Sequence, residues 1–376
     1  MIYLDSAATT VVRREVLEAM WPYLTGDFGN PSSHHEVGES AARALDASRA
    51  AVALAIGSRA SEVVFTSGGT ESDNLAIKGI ALASARGRHI VTSAIEHPAV
   101  LESVDYLVRF HGFEATVLGV DYEGFVQPDA FSAALRDDTA LCSIMYANNE
   151  IGVIQPIPEL AAIARARGVP FHTDAVQAAG WLDLSIDALG VDAVSISGHK
   201  LGAPKGIGAL VVRSRVPVEP VLHGGGQERG RRSGTENVAG AVGLARALEL
   251  SDAGAAERVA QLRDVLIDEV ASTIPGAILT GPRDHRLPGH ASFCFPGTSG
   301  EAVLLGLEAR GIVCSSGSAC AAGSDDPSPV LLALGLGPDV AQTAVRFTFG
   351  ADITEADIRA TVQQLTVAVG AVRSLG

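Results

Sequence analysis

An α/β fold is predicted for this 376-residue chain by three observations. Short apolar runs recur, and they stop at turns rich in Gly, Ser, Asn or His. Longer alanine-biased stretches with helical spacing separate them. The residues with chemical potential, among them Thr70, His97, Asn149, Asp174 and Lys200, follow directly on the apolar runs, where open α/β sheets bind their ligands. The length allows two domains, and a hydrophobic share of 47% can fill a sizeable core.

Residues 1–10 read as a short strand and turn. Val16, Leu17, Met20 and Trp21 then recur at helical spacing within a helix over 12–24. Residues 26–35, G-D-F-G-N-P-S-S-H-H, are turn formers and polar side chains, hence a loop. A second helix over 36–56 is strongly alanine-biased. The first clear strand is E-V-V-F-T (62–66), and S-G-G-T-E-S (67–72) leads from it into a helix over 73–86. Glycines at such a turn let backbone N–H groups approach an anion at the positive end of a helix, and Thr70 adds a hydroxyl, which makes a phosphate cup. The same residues would serve as an ordinary helix cap through Ser67 or Thr70. The segment is not a nucleotide P-loop, because G-x-x-x-x-G-K-[ST] does not occur.

The next strand, 89–95, ends in Glu96-His97-Pro98, and Pro98 suits the first turn of a helix over 99–110. A strand over 140–147 runs into N-N-E-I-G (148–152), whose two asparagines can bond a ligand or the turn itself. After a helix over 157–167, a strand buried on both faces leads to H-T-D-A-V-Q (172–177). A buried carboxylate there is costly without a partner, so Asp174 needs a cation or several donors. Lys200 closes the following run, V-S-I-S-G-H-K (194–200), and the apolar pattern resumes at Ile207. About ten intervening residues are too few for a crossover helix, so these two strands run antiparallel. A lysine on a short glycine-flanked loop can be desolvated and shed its proton, as an amine must to form a Schiff base.

The alanine-rich stretch 238–271 reads as one or two helices leading into the last third. A strand over 291–295 and a helix over 302–309 precede G-I-V-C-S-S-G-S-A-C (311–320). Cys314 ends an apolar strand and belongs in the core. Cys320 sits among Ser, Gly and Ala on what its composition makes a surface loop. The cysteines Cys142, Cys294, Cys314 and Cys320 form no disulfide framework and show no C-x-x-C zinc spacing, so no metal is expected. A formal net charge of -15 argues against a general nucleic-acid or membrane-surface binder. No apolar run has membrane-spanning length and no secretory leader opens the chain, so a cytoplasmic protein is expected.

A Schiff-base lysine, a carboxylate needing a cation, a phosphate cup and a ring-sized histidine together fit pyridoxal phosphate, with Asp174 paired to the protonated pyridine nitrogen. Several segments carry a resemblance: T-S-G-G-T-E-S-D-N (66–74), I-E-H (95–97), N-N-E-I-G-V (148–153), H-T-D-A-V-Q (172–177), S-G-H-K (197–200), R-S-G-T (232–235) and S-S-G-S-A-C (315–320). They closely resemble the signature segments of cysteine desulfurases of the iron-sulfur-cluster-assembly and nitrogen-fixation type, within the class V aminotransferase group. The likeness runs from L-D-S-A-A-T-T (4–10) to V-R-F-T-F-G (345–350).

The resemblance implies a fold-type-I homodimer. Its large domain, 13–255, would hold a mixed, mostly parallel seven-stranded sheet, and a smaller α/β domain, 1–12 with 256–376, would carry the catalytic cysteine loop. By that likeness Lys200 holds the cofactor and later removes the substrate α-proton, while His97 stacks on the pyridine ring and helps move protons. Asp174 binds the ring nitrogen, and Gln177 and Asn149 reach the phenolic oxygen and the substrate side. Gly69, Thr70, Ser197 and His199 hold the phosphate, joined by Thr235 from the other subunit. Arg346, in an alternating strand over 343–349, clamps the carboxylate of L-cysteine bidentately. Cys320 attacks the substrate sulfur, leaving a persulfide on Cys320 and alanine as product. The sulfur then passes to an acceptor: a cluster scaffold, a tRNA-thiolating enzyme or a DNA-sulfur-modifying system. Ala321-Ala322 stand where cluster-assembly members often have Thr-Ser, which leaves that choice open. Within the same fold a selenocysteine lyase would use the same Lys200, and a small-substrate aminotransferase would have no use for Cys320. A non-catalytic metal or scaffold protein using Cys314, Cys320 and histidines is the remaining alternative, against which the intact S-G-H-K and Asp174 argue.

Overall fold

The structure is a computed structural model and describes residues 1–316 and 326–375. After β1 (Ile2–Tyr3), the strands β2 (Val63–Thr66), β3 (His89–Ser93), β4 (Glu114–Leu118), β5 (Thr139–Ser143), β6 (Phe171–Asp174), β7 (Ala193–Ser197) and β8 (Gly208–Val212) form one sheet. Their order is β2-β8-β7-β6-β5-β3-β4. Strands β3 to β7 pair in parallel, and β8 is antiparallel to both β7 and β2. The sheet is thus mostly parallel, and the short turn after Lys200 reverses the chain as its length requires.

Both faces of this sheet are covered, which is why its inner strands are buried at every position rather than at alternate ones. Val63, Phe65, Val91, Cys142, Val194, Ile196 and Val211 point into one core. Their neighbours Val64, Ile90, Leu141, Ala193 and Leu210 point into another on the opposite face. The strand alternation therefore divides one sheet between two apolar layers. Only β4, at the edge, exposes most of its side chains.

The helix Glu36–Ile56 has the predicted bounds and ends at Gly57, whose φ of 65° is the left-handed cap that glycine adopts without strain. In the helix Arg14–Thr25, Val16 and Met20 are buried, whereas Leu17 and Trp21 are exposed. Met20 packs so closely on Gly243 that a Cβ there would meet its sulfur at 2.6 Å. The helix after β2 starts at Gly69, sooner than its composition suggests, and passes through a π turn, Leu75–Gly79, before ending with Ile80–Ala83. The predicted strand over 140–147 stops at Ser143 as a ladder, and beyond it Met145 N–H donates instead to the Glu96 carboxyl at 2.9 Å.

A separate core gathers Leu4, Phe293, Phe295, Phe347, Phe349, Ile358 and Leu365. Here β9 (Ile278–Leu279) and β10 (His290–Cys294) lie beside β11 (Ile312–Val313) and β12 (Ala344–Thr348). The order β12-β10-β9 is antiparallel, and β11 pairs in parallel with β1. The stretch read as one or two helices is two. Val238–Glu249 packs on the helices Arg14–Thr25 and Glu36–Ile56, and Ala253–Thr273 on this second core, with Asp252 capping Gly254 N–H at 2.8 Å. Among the described residues no helix is long and apolar enough to cross a membrane.

Candidate active site

Of the six strands that end on one edge of the large sheet, β2, β3, β5, β6 and β7 are followed there by most of the predicted functional residues. Between β2 and its helix, Gly68 has a φ of 153°, a conformation that glycine alone adopts readily. A Cβ on Gly69 would stand 2.7 Å from the Val176 side chain and 3.4 Å from Ser197 Cβ, and one on Gly208 would meet the Gly68 backbone at 2.7 Å. The turn is therefore pressed against the end of β7. Neither Ser67 nor Thr70 caps the helix: the N-cap is Gly68, which has no side chain to do so, and Ser67 N–H donates to Glu71 at 2.7 Å. Ser197 Oγ, at the mouth of this turn, is buried and without a hydrogen-bond partner among the described residues. An unsatisfied buried hydroxyl beside a glycine cradle is what an incoming phosphate would complete. The residues present thus fit the cofactor's phosphate. His199 bonds Thr9 Oγ1 through Nδ1 at 3.2 Å, and burial, with Lys200 and Lys205 adding to it, lowers its pKa to about 4.

Asp174 ends β6, is 5% exposed, and accepts the Val176 N–H at 2.8 Å. Burial pushes its carboxyl up, while that hydrogen bond and the charges of His97 and Lys200 hold it down. A cationic pyridine nitrogen is the partner this carboxylate suits. His97 caps the helix Pro98–His111 by accepting the Ala99 N–H on Nδ1 at 3.0 Å. Burial lowers its pKa, Asp174 opposes the fall and Lys200 adds to it, so the neutral ring carries its proton on Nε2. Behind Asp174 lie two more carboxyls that the motifs did not single out. Glu96 accepts Ser93 Oγ at 2.6 Å as well as the Met145 N–H, and burial pushes it up to about 8. Asp73 is raised first by burial and then by Asp174. His172 is tied between Ser143 and Ser195 at 2.9 Å each, and burial brings it down to about 3, so it is a neutral packing residue.

Lys200 follows β7 in a single helical turn, and its Nζ donates to the carbonyl of Ala7 and, at 2.7 Å, to that of Ala8. Gln177 Nε2 donates to the same Ala7 carbonyl at 3.0 Å. Beyond these lies Arg346 of β12, 1% exposed, with Nη2 on Asp5 at 2.8 Å, Nη1 on the Asn149 carbonyl at 3.0 Å and Nε buried without a partner among the described residues. His290 Nε2 also donates to the Asn149 carbonyl, at 3.1 Å. Asn149 is therefore anchored through its backbone. Asn148 serves the turn instead, accepting the Glu150 and Ile151 N–H groups at 2.8 and 2.9 Å. A cleft of about 530 Å³ borders Lys200, Gln177 and His290 but neither His97 nor Asp174, so it adjoins this site without being it.

The sheet edge thus gathers Gly69, His97, Asp174, Gln177, Ser197, His199 and Lys200, and Asn149 joins it to Arg346 from the second core. Thr70 and Thr235 are exposed in the single chain, the latter on a stretch whose Arg232 pairs with Glu71 at 2.7 Å. Cys320 lies outside the described residues. Cys314 is partly buried, and burial holds its thiol up at about 12. No group of three potential metal ligands occurs among the described residues.

Residues 2–361 match the family described as Aminotransferase class-V. The cysteine desulfurase IscS of Dictyoglomus turgidum is 48% identical over 378 residues, covering 100% of this chain and 96% of that protein. Among solved structures, a NifS-like protein superposes with a TM-score of 0.92 at 36% identity, covering 98% of this chain and 99% of the other. A structure described as SspA in complex with cysteine gives a TM-score of 0.83 at 35% identity, covering 93% and 99%.

Proposed function

We propose that this chain, which belongs to the aminotransferase class-V family and is a pyridoxal-phosphate-dependent cysteine desulfurase, captures the sulfur of L-cysteine as a persulfide on Cys320. The observation that carries the reading is the meeting, at one sheet edge, of Lys200, His97 and Asp174 with the unsatisfied hydroxyl of Ser197. The cofactor, when bound, supplies an electron sink for charge developing on the substrate carbons.

The chain's own groups do the rest. Gly69, Thr70, Ser197 and His199 would hold the phosphate, and Thr235 would join them from the other subunit. Asp174, kept from solvent by burial, would pair with the ring nitrogen, and Gln177 and Asn149 would serve the phenolic oxygen and the substrate. Lys200 carries the cofactor and takes the proton from the substrate Cα. His97, with Nδ1 engaged by the Ala99 N–H, presents the proton on Nε2 to the site as a donor. Arg346 grips the substrate carboxylate, which its partnerless, buried Nε–H supports. The Cys320 thiolate attacks the substrate sulfur; an S–S bond forms as the C–S bond breaks and the electron pair stays with Cβ, and protonation of Cβ together with return of the proton from Lys200 to Cα yields alanine.

The active form is a homodimer. Leu17, Trp21, Leu24 and Phe28 are each more than half exposed in the single chain, a share of large apolar side chains that suits burial against a second subunit. The division into 13–255 and 1–12 with 256–376 is supported by the separate apolar cores. The sulfur acceptor is an iron-sulfur cluster scaffold or a thiolation enzyme, and the compartment is the cytoplasm, where thiols stay reduced.

The test is a mass spectrum of the purified holoenzyme after L-cysteine without reductant, with peptide mapping. The expected result is one added sulfur on the Cys320 peptide together with alanine, and a Cys320→Ser protein that keeps its visible cofactor band but releases no sulfide. Alanine formed with every cysteine unmodified would overturn persulfide capture and make L-selenocysteine the substrate to try.

A further inference from the structure

The residues before Thr10 form a strap that touches both halves of the site. Tyr3 OH donates to the carbonyls of Asp5 and Thr9 at 3.1 and 2.8 Å, which fixes the curve of the strap. Ala7 N–H donates to Thr348 Oγ1 at 2.9 Å, and Asp5 bridges to Thr348 of β12. On one side the Ala7 and Ala8 carbonyls face Lys200 Nζ, and on the other Asp5 Oδ1 takes Arg346 Nη2. One short peptide therefore spaces the lysine from the arginine.

A guanidinium has five N–H donors in a fixed fork and cannot shed its charge, so its orientation depends on which donors are already engaged. In Arg346, Nη1 is held by the Asn149 carbonyl and Nη2 by Asp5, while the buried Nε has no partner among the described residues. The two bonds at the far end of the fork decide where Nε–H points. We infer that Asp5 is a positioning residue for substrate recognition: its hydrogen bond to Arg346 Nη2 turns the guanidinium so that the Nε side of the fork meets the carboxylate of the amino-acid substrate. This rests on the reading of Arg346 as the carboxylate grip. The contribution of Asp5 lies in the reach and direction of its Oδ1 rather than in its charge, because a second anion beside Arg346 weakens the pull on a substrate anion.

The test uses the pyridoxal-phosphate holoenzyme and two unreactive probes, L-alanine and L-alaninamide, which differ at the carboxylate. Each is titrated against the visible band of the bound cofactor, and the ratio of the dissociation constants measures recognition of the carboxylate apart from the amine. The ratio should fall about tenfold or more in Asp5→Ala, the loss expected for one misdirected charge-assisted hydrogen bond. Asp5→Asn keeps an acceptor at the same reach and should hold the ratio within about threefold, since it retains the geometry. Asp5→Glu keeps the charge but moves the acceptor outward by a methylene, and should lose discrimination like alanine. Should Asp5→Ala fail to retain cofactor, the Asn and Glu proteins decide between reach and charge. An unchanged ratio in Asp5→Glu, or its loss in Asp5→Asn with retention in Asp5→Glu, overturns the inference. An Arg346→Lys protein measured alongside separates the two levels: if its ratio matches wild type, the reading of Arg346 fails first. If it collapses while all Asp5 proteins are unaffected, the role of Asp5 alone fails.

Discussion

Replacing Ser197 by alanine should have opposite effects on the protein without and with its cofactor. In the chain alone Ser197 Oγ is buried and lacks a partner among the described residues, so the folded state carries an unsatisfied hydroxyl. Leaving such a group unpaired costs about 1–3 kcal/mol, and alanine removes it with little change in shape. With phosphate in place the hydroxyl donates to a charged oxygen, and a hydrogen bond to a charged group contributes about 1.5–3 kcal/mol, or roughly ten- to a hundredfold in dissociation constant. Ser197→Ala apo-protein should therefore melt no lower than wild type and up to roughly 2 °C higher, a shift of the size about 1 kcal/mol gives in a large chain. The same protein should bind pyridoxal phosphate at least tenfold more weakly, read by titrating the visible absorption of the bound cofactor. An apo-protein that melts lower by as much as the holoenzyme does, together with an unchanged dissociation constant, would refute the reasoning by making Ser197 a packing residue.

Three more substitutions follow from the same geometry. Arg49 and Glu228 form a buried fork-to-fork pair at 2.6 and 2.8 Å, with Glu228 also accepting the Phe65 N–H at 3.1 Å. Glu228→Ala strands the guanidinium, and urea unfolding should show a loss of about 3–5 kcal/mol. Gly208→Ala drives a Cβ to 2.7 Å from the Gly68 backbone and the Ile196 carbonyl. It should destabilise by about 1–3 kcal/mol and weaken cofactor binding as well, since the turn must give way. Glu96, whose folded pKa is raised to about 8 from an ordinary 4.5, binds a proton that the unfolded chain lacks between those values. Its contribution is fully present below the unfolded value and is lost as pH rises through the folded one, by up to about 1.4 kcal/mol per unit. Glu96→Gln should remove that slope, and parallel stability-pH curves for the two proteins would contradict it.

Much of the fold was legible because strands buried on both faces leave short, mainly apolar runs, and because Gly, Asn and His mark where they stop. The antiparallel β8 followed from loop length alone, and Lys200 and Asp174 from their place at strand ends. What local pattern could not carry were pairings across the chain. Asp5 meets Arg346 from 341 residues away, and nothing near either residue announces the other. His290, Glu96 and Asp73 were missed for a related reason: Glu96 and Asp73 stand inside the segments I-E-H and T-S-G-G-T-E-S-D-N and His290 opens an apolar strand, and a polar residue looks the same in sequence whether it faces a partner or a site. Asn148 and Asn149 read alike in sequence, yet one side chain closes its own turn while the other residue is anchored by Arg346 and His290 through its carbonyl. The early start of the helix at Gly69 depends on a close approach to Val176 that only the assembled sheet creates.

The pairing of β1 with β11 sets an order on assembly. Ile2 and Tyr3 find their partners at Ile312 and Val313, so β1 is left without its ladder until that distant segment has been made. Contacts this distant close slowly and late. The large sheet, with its glycine turn, Asp174 and Lys200, needs none of them and can form first. A nascent chain thus holds the lysine and the glycine turn before the strap docks, and that docking completes the surroundings of Lys200 and Arg346 last.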